Sequence, residues 1–269
     1  MPTEGRLTWA AATRSGTRKE TNDDSWIVFS SDAAGSETHG ESGTCALEER
    51  DLVFAVSDGM GGGNAGDLAS SLILKRMAEV IPETFKAAAS GFFPDSLSHL
   101  SGAIRAVHAD VNAAAMEDEA RKGMAATLAI AWFSPENMYL ANVGDSRIYH
   151  CRAGKTEQLT KDHTIAWGQL ARGQIREIEF RNHPRRSALY EVIGGGRENI
   201  SPHYAAVSFR SGDRFLVCSD GLIDGVWDRH IGDALTQETT PESCRDRLLT
   251  RSLANAGGDD TTLIVIYVG

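Results

Sequence analysis

Two links in this chain are too short to carry anything but a hairpin. Residues 134–137 separate an apolar run at 127–133 from another at 138–143, and Gly144-Asp145-Ser146 separates that run from 147–150. A parallel connection needs a crossover of a dozen residues or more, so runs joined this closely must pair antiparallel. Five further apolar runs of strand length, at 7–12, 25–29, 52–56, 215–218 and 263–268, are mostly bounded by glycine or polar turns. Three longer stretches have helical periodicity. Residues 67 to about 81 put Leu68, Leu72, Ile73, Val80 and Ile81 on one broad face. After Pro94-Asp95-Ser96, the residues Leu97, Leu100, Ile104, Val107 and Val111 recur at helical spacing, which reads as core packing. The third helix has Thr240 as N-cap, Pro241 at its first position and Gly257-Gly258 as its stop. Helices lie between groups of hairpin strands and do not alternate with single strands. That order predicts a layered α+β domain rather than a doubly wound parallel sheet.

The 269 residues read as a single domain over 1–269, with a polar surface insertion at about 37–50 and a charged segment at about 165–186 that could form a flap. A net charge of −10 gives no general attraction to nucleic acid or to an anionic membrane. No apolar run approaches membrane-spanning length, and no signal-peptide pattern is visible over 1–12. Cys45, Cys151, Cys218 and Cys244 are dispersed, without zinc or disulfide spacing. The expectation is a cytoplasmic protein with reduced thiols.

The chemistry concentrates in aspartates at strand ends. Ser57-Asp58-Gly59 follows the run at 52–56, and Ser219-Asp220-Gly221 follows 215–218. Asp259-Asp260 precedes 263–268, Asn22-Asp23-Asp24 precedes 25–29, and Asp145 follows 138–143. A carboxylate at a strand end is rigidly held and aimed into a loop-lined cleft. Several converging there repel one another and lose hydration, which bound cations offset. An all-oxygen donor set suits Mg²⁺ or Mn²⁺. Such ions can activate water for attack on a phosphate ester. Each Asp-Gly pair alone reads better as a plain turn.

The ordered motifs go further. The segment 57–70, Ser-Asp-Gly-Met-Gly-Gly-Gly-Asn-Ala-Gly-Asp-Leu-Ala-Ser, resembles the signature of the metal-dependent type 2C serine/threonine protein phosphatases (PPM family) in its bacterial form. Matching segments follow in the family's order at 123–128, 142–147, 159–164, 218–222 and 259–262, across nearly the whole chain. The resemblance implies a four-layer αββα sandwich, with two central antiparallel sheets flanked by helices and a metal site at one edge. It implies hydrolysis of phosphoserine and phosphothreonine in proteins by a hydroxide bridging two Mn²⁺ or Mg²⁺ ions. By that resemblance Asp58 bridges both metals, the Gly59 carbonyl binds one, and Asp220 and Asp259 complete the other. Asp23 contacts the site directly or through water with Asp24 behind it, and Asp145 binds a third, weaker metal.

The sequence departs from the family at four places. Lys19 stands where an arginine usually grips the substrate phosphate, and it lacks the guanidinium fork, so Arg14 or Arg18 could share the task. Asp23 replaces a longer glutamate, Gly63 a histidine, and Asp260 an asparagine. The Lys19, Gly63 and Asp260 departures define the alternative, a weak or inactive phosphoprotein-binding regulatory module on the same fold. A calcium-binding structural protein fits less well, because no twelve-residue calcium loop is present. His163 and His183 read as loop histidines with structural hydrogen bonds, and Arg185 and Arg186 as a solvated basic face. The implied partners are phosphoserine and phosphothreonine proteins and a cognate serine/threonine kinase. Nothing demands an oligomer, so a monomer is expected.

Overall fold

The structure, a computed structural model, describes residues 5–18, 20–32, 34–47, 50–61, 65–89 (backbone alone for 83–89), 96–135 and 137–269. Lys19 and Gly63 lie outside the described residues. In chain order the elements are β1 (Arg6–Arg14), β2 (Asp24–Asp32), β3 (Gly35–Thr38), β4 (Ser42–Ala46), β5 (Asp51–Met60), α1 (Ala65–Ala89), α2 (Ser96–Glu117), β6 (Ala125–Ala126), β7 (Leu128–Phe133), β8 (Met138–Val143), β9 (Arg147–Arg152) and β10 (Lys155–Gln158). They continue with α3 (Ile165–Ala171), α4 (Glu177–Arg181), β11 (Ile193–Gly194), β12 (His203–Val207), β13 (Arg214–Cys218), α5 (Asp220–Gly225), α6 (Asp228–Gln237), α7 (Pro241–Ala256) and β14 (Thr261–Val268).

Two antiparallel sheets form the centre. One runs β10–β9–β13–β14–β1–β4. The other runs β3–β2–β5–β7–β8–β12, with the short β6 taking over from β7 along the end of β5 and carrying β11. The strands read as unbroken apolar runs because both of their faces are covered. On β5, Leu52, Phe54 and Val56 point between the sheets, while Val53 and Ala55 point toward α1 and α2. On β14, Ile264, Ile266 and Val268 point between the sheets, while Leu263 and Val265 meet the layer of α5, α6 and α7. The period of two thus divides each strand between two cores and yields four layers, helix–sheet–sheet–helix.

The expected helix ends hold for α7, where the Thr240 hydroxyl accepts the Ser243 amide at 3.2 Å, Pro241 opens the helix and Gly257 closes it. The first helix runs past the expected stop near Ile81 and carries Pro82 inside it. The segment read as a surface insertion over 37–50 supplies edge strands to both sheets, β3 against β2 and β4 against β1. Its polar sequence is that of sheet edges, which lack the double burial of central strands. The run at 127–133 divides at Thr127, whose amide donates to the Asp58 carbonyl at 2.9 Å just where β5 changes partner from β7 to β6. Among the described residues no helix is long and apolar enough to cross a membrane.

Candidate metal centre

The aspartates named from the sequence lie at the ends of strands from both sheets. Asp24 opens β2 and stands opposite Asp58 in the antiparallel register with β5. Asp220 opens α5 directly after β13, and Asp259 lies in the loop before β14. Asp145 sits buried in the turn between β8 and β9. Burial raises the Asp58 carboxyl well above the usual carboxylate range, and the charges of Asp24, Asp220, Asp145 and Asp259 push it further. Asp220 is raised well above that range by burial, then by Asp145, Asp224 and Asp259. Burial pushes Asp24 up to about 7 against a hydrogen bond from Ser219. Burial and the charge of Asp162 push Asp145 up to about 7, opposed by Arg147 and Arg186. Five carboxylates from two sheets are therefore electrostatic neighbours.

Asp23 and Asp24 part company here. The Asp23 main chain stitches the site together, since its amide donates to Asp260 Oδ2 at 2.8 Å and its carbonyl accepts the Gly59 amide at 3.0 Å. Its carboxyl group lies against Gly66 at the start of α1, where a Cβ would come within 2.8 Å of Asp23 Cγ. Asp24, expected to act from behind Asp23, is the one that faces Asp58. One of its oxygens accepts the Ser219 hydroxyl at 2.7 Å, and Oδ1 is buried without a hydrogen-bond partner. The Gly59 backbone fits into a cradle, because a Cβ there would meet the Gly66 carbonyl oxygen at 2.0 Å.

The Asp260 departure acquires a structural reason. Both Asp260 oxygens are engaged, Oδ1 by the Gly16 amide and Oδ2 by the Asp23 amide, each at 2.8 Å. Asp260 is thus the clamp that closes the loop between β1 and β2 onto the loop before β14. Arg18, on that same loop, reaches Asp259 at 3.3 Å. His163 accepts the Gly144 amide on Nδ1 at 3.2 Å, while burial, aided by His203, pushes its ring down to about 4. A neutral ring that braces the turn holding Asp145 is a structural histidine, and His183 likewise accepts the Arg185 amide.

Sequence reasoning passed over three supports of this site. Thr127 Oγ1 accepts the Asp58 amide at 2.9 Å and bonds to Ser146 Oγ at 2.7 Å, so it fixes two site loops at once. Gly144, at φ +98°, gives it room, because a Cβ there would come within 2.5 Å of the Thr127 methyl. Beneath the Asp145 turn, Arg147 and Asp162 form a buried ion pair at 2.6 Å. Asp224, one turn beyond Asp220 on α5, adds a further carboxylate and pairs with Arg186. The spacing of Asp220 and Asp224 was the available signal.

Among the described residues no three acidic, histidine or cysteine side chains stand as a finished ligand set. The donor chemistry nevertheless fits divalent cations. The set is all oxygen, its carboxylates destabilise one another, and one Asp24 oxygen is buried with its bonding capacity unspent.

The chain is similar over most of its length to known proteins. A model of the protein phosphatase 2C family matches residues 41–255. The serine/threonine protein phosphatase PstP of Mycobacterium tuberculosis is 34% identical over 216 residues, which are 80% of this chain and 40% of that protein, so the chain spans well under half of its length. The serine/threonine phosphatase stp of Listeria innocua is 28% identical over 241 residues, 88% of this chain and 94% of that one. Among solved structures, Stp1 from Staphylococcus aureus superposes with a TM-score of 0.80 at 26% identity, covering 97% of this chain and 94% of that one. The catalytic domain of PstP in complex with two manganese ions superposes with a TM-score of 0.74 at 28% identity, covering 98% and 99%.

Proposed function

This chain belongs to the protein phosphatase 2C family, and we propose that it removes phosphate from phosphoserine and phosphothreonine in proteins with the aid of two Mn²⁺ or Mg²⁺ ions. The observation that carries the reading is the convergence of Asp58, Asp24, Asp220 and Asp145 at strand ends of both sheets, where burial and then the charges of the other three hold the Asp58 carboxyl up. Asp58, the Gly59 carbonyl, Asp220 and Asp259 would hold the ions, with Asp23 and Asp24 beside them and Asp145 at a third, weaker position. Bound there, a divalent cation supplies Lewis acidity toward the phosphoryl oxygens and lowers the pKa of water.

The chain's own residues do the positioning. Thr127 and the Asp23 carbonyl fix the Asp58–Gly59 backbone, so the carboxylate meets its ligand without reorganising. Lys19 and Arg18 would meet the outer phosphoryl oxygens, Arg18 being the exposed cation at the Asp259 rim. A covalent protein intermediate is not part of the scheme. Cys218 is buried in β13, and burial pushes its thiol far up, away from the reactive thiolate. The same reading takes the protein to be a cytoplasmic monomer acting opposite a serine/threonine kinase.

The test is phosphate release from a phosphothreonine peptide with Mn²⁺, with chelator and Asp58→Asn as controls. Release that requires both the metal and Asp58 supports the hydrolase. Folded protein that binds the phosphopeptide but releases no phosphate under Mn²⁺ or Mg²⁺ would replace it with the binding-module reading.

A further inference from the structure

Strand β2 has a bare stretch of outer edge. It pairs with β5 over residues 24–31, but with β3 only over 29–32. After Thr38 the chain leaves this sheet for the other one. The Gly40 carbonyl accepts the Trp9 indole N–H at 3.1 Å and the Glu41 carbonyl accepts the Ala11 amide at 2.6 Å, both from β1. In an antiparallel ladder the main-chain groups of successive residues point to opposite edges. The Asp23 carbonyl points toward β5, where it accepts the Gly59 amide, and the Val28 carbonyl points outward, where it accepts the His39 amide at 2.8 Å. Trp26 therefore points outward as well. Among the described residues neither its N–H nor its C=O has a hydrogen-bond partner.

That edge borders a groove. Trp26 and Thr38 line one side and Ser71, Leu74 and Ala78 of α1 the other, around a cavity of about 380 Å³, which falls in the range of ligand-binding clefts. Both walls run back to the carboxylate centre. Asp24, which faces Asp58, stands two residues before Trp26 on the same strand, about 7 Å at the rise of a strand. On the other wall, α1 begins with Gly66 against the Asp23 carboxyl group, and one turn later the Ser70 hydroxyl bonds that of Ser25 at 2.9 Å.

We propose that this groove binds the substrate chain beside its phosphorylated residue as an added antiparallel strand, with one substrate residue exchanging both main-chain hydrogen bonds with Trp26. The inference rests on the phosphatase reading above and specifies its substrate class: phosphoserine or phosphothreonine in a segment free to extend, rather than in a helix. Strand addition takes affinity from main-chain bonds and specificity from alternate side chains. With Trp26 about 7 Å from Asp24, the substrate residue opposite it stands about two to four positions from the phosphorylated one. The neighbours of that substrate residue point their side chains toward α1, as Ser25 and Ile27 do, where Leu74 and Ala78 form an apolar floor.

The experiment uses the whole chain with Mn²⁺ and a flexible phosphothreonine peptide carrying a single N-methyl group, moved one residue at a time along both sides of the phosphothreonine. The change is made in the peptide, so the fold of the protein is untouched. Methylation at one position, about two to four residues from the phosphothreonine, is expected to raise KM by about tenfold with kcat held, as one main-chain hydrogen bond is lost. Methylation of the residues on either side of that position should leave KM near that of the parent peptide. The second readout is amide hydrogen exchange at Trp26, which should slow by about tenfold or more when the protein is saturated with a non-hydrolysable phosphonate analogue of the peptide. The same KM for every methylated peptide, or a Trp26 amide that exchanges as fast with the analogue as without it, overturns the proposal while leaving the hydrolase standing. An equal rise in KM at every position marks stiffening of the peptide and also overturns it. No phosphate release from the unmethylated peptide overturns the phosphatase reading itself, and this inference with it.

Discussion

Asp24 and Asp58 stand directly opposite one another across the antiparallel pairing of β2 and β5. Like charges in that position destabilise a sheet, and here Asp24 is also buried and Asp58 half-buried. The fold tolerates the pair because Ser219, from the other sheet, donates to Asp24, and Thr127 fixes the Asp58 backbone. Neither support removes the repulsion. Asp58→Asn is therefore expected to raise the stability of chelator-treated protein by about 1 kcal/mol, as one buried charge is lost. It should also abolish metal-dependent phosphate release. Urea denaturation and phosphate assays on the same preparation check both, and a destabilised Asn variant would contradict the repulsion.

Asp145 carries a pH signature. Its carboxyl rises from an ordinary value of 3.8 to about 7 in the fold. Between those values the folded protein keeps a proton that the unfolded chain has released, so this group's contribution to stability falls as pH rises from about 4 to 7. His163 acts the other way: its ring is pushed down to about 4, so its contribution is present above 6.5 and is lost as pH falls toward 4. Comparing Asp145→Asn with wild type isolates the carboxylate. The variant is expected to gain stability relative to wild type, without metal, between pH 5 and pH 8. Denaturation midpoints at the two pH values check it, and a relative gain that shrinks with pH would reverse the sign.

Asp260 offers a test of the loop clamp. Asp260→Ala removes charge-assisted acceptors from two backbone amides and should cost about 3 kcal/mol, while Asp260→Asn, which keeps one acceptor, should cost about half of that. Equal losses in the two variants, measured by urea denaturation, would show that the paired hydrogen bonds to Gly16 and Asp23 are not what the carboxylate supplies.

Arg147 and Asp162 are paired in the interior beneath the Asp145 turn. Removing one partner strands the other charge, so Arg147→Met is expected to destabilise by about 3 to 5 kcal/mol. Changing both residues to apolar ones of similar size should recover most of that loss. A double variant as unstable as the single one would mean that packing, not the orphaned charge, sets the cost.

Much of this architecture was legible because burial on two faces writes a strand as a plain apolar run, as at 52–56 and 263–268. The caps of α7 were legible because Thr240 and Pro241 act through their own helix. The strands at β3, β4 and β12 were not, since an edge strand has no reason to be apolar on both sides, and β4 and β12 owe their places to partners distant in sequence. The aspartates of the centre announced themselves by position at strand ends. Which of Asp23 and Asp24 faces Asp58 depended on the register of β2 against β5, and a one-residue shift reverses the answer. The roles of Thr127, Asp260 and Arg186 are set by contacts with other elements, and no local pattern carries them.

The pairing of β1 with β14, from Leu7 opposite Val268 to Arg14 opposite Thr261, has a bearing on synthesis. β1 sits between β14 and β4, and so must wait until residues 261–268 have been made before its central neighbour arrives. Until then its apolar residues lack their cover, and Asp259, just ahead of β14, has not joined the other carboxylates. A nascent chain can thus hold Asp24 and Asp58 in place long before it can assemble the centre, so the activity proposed here would switch on only once β14 has been made rather than grow with length.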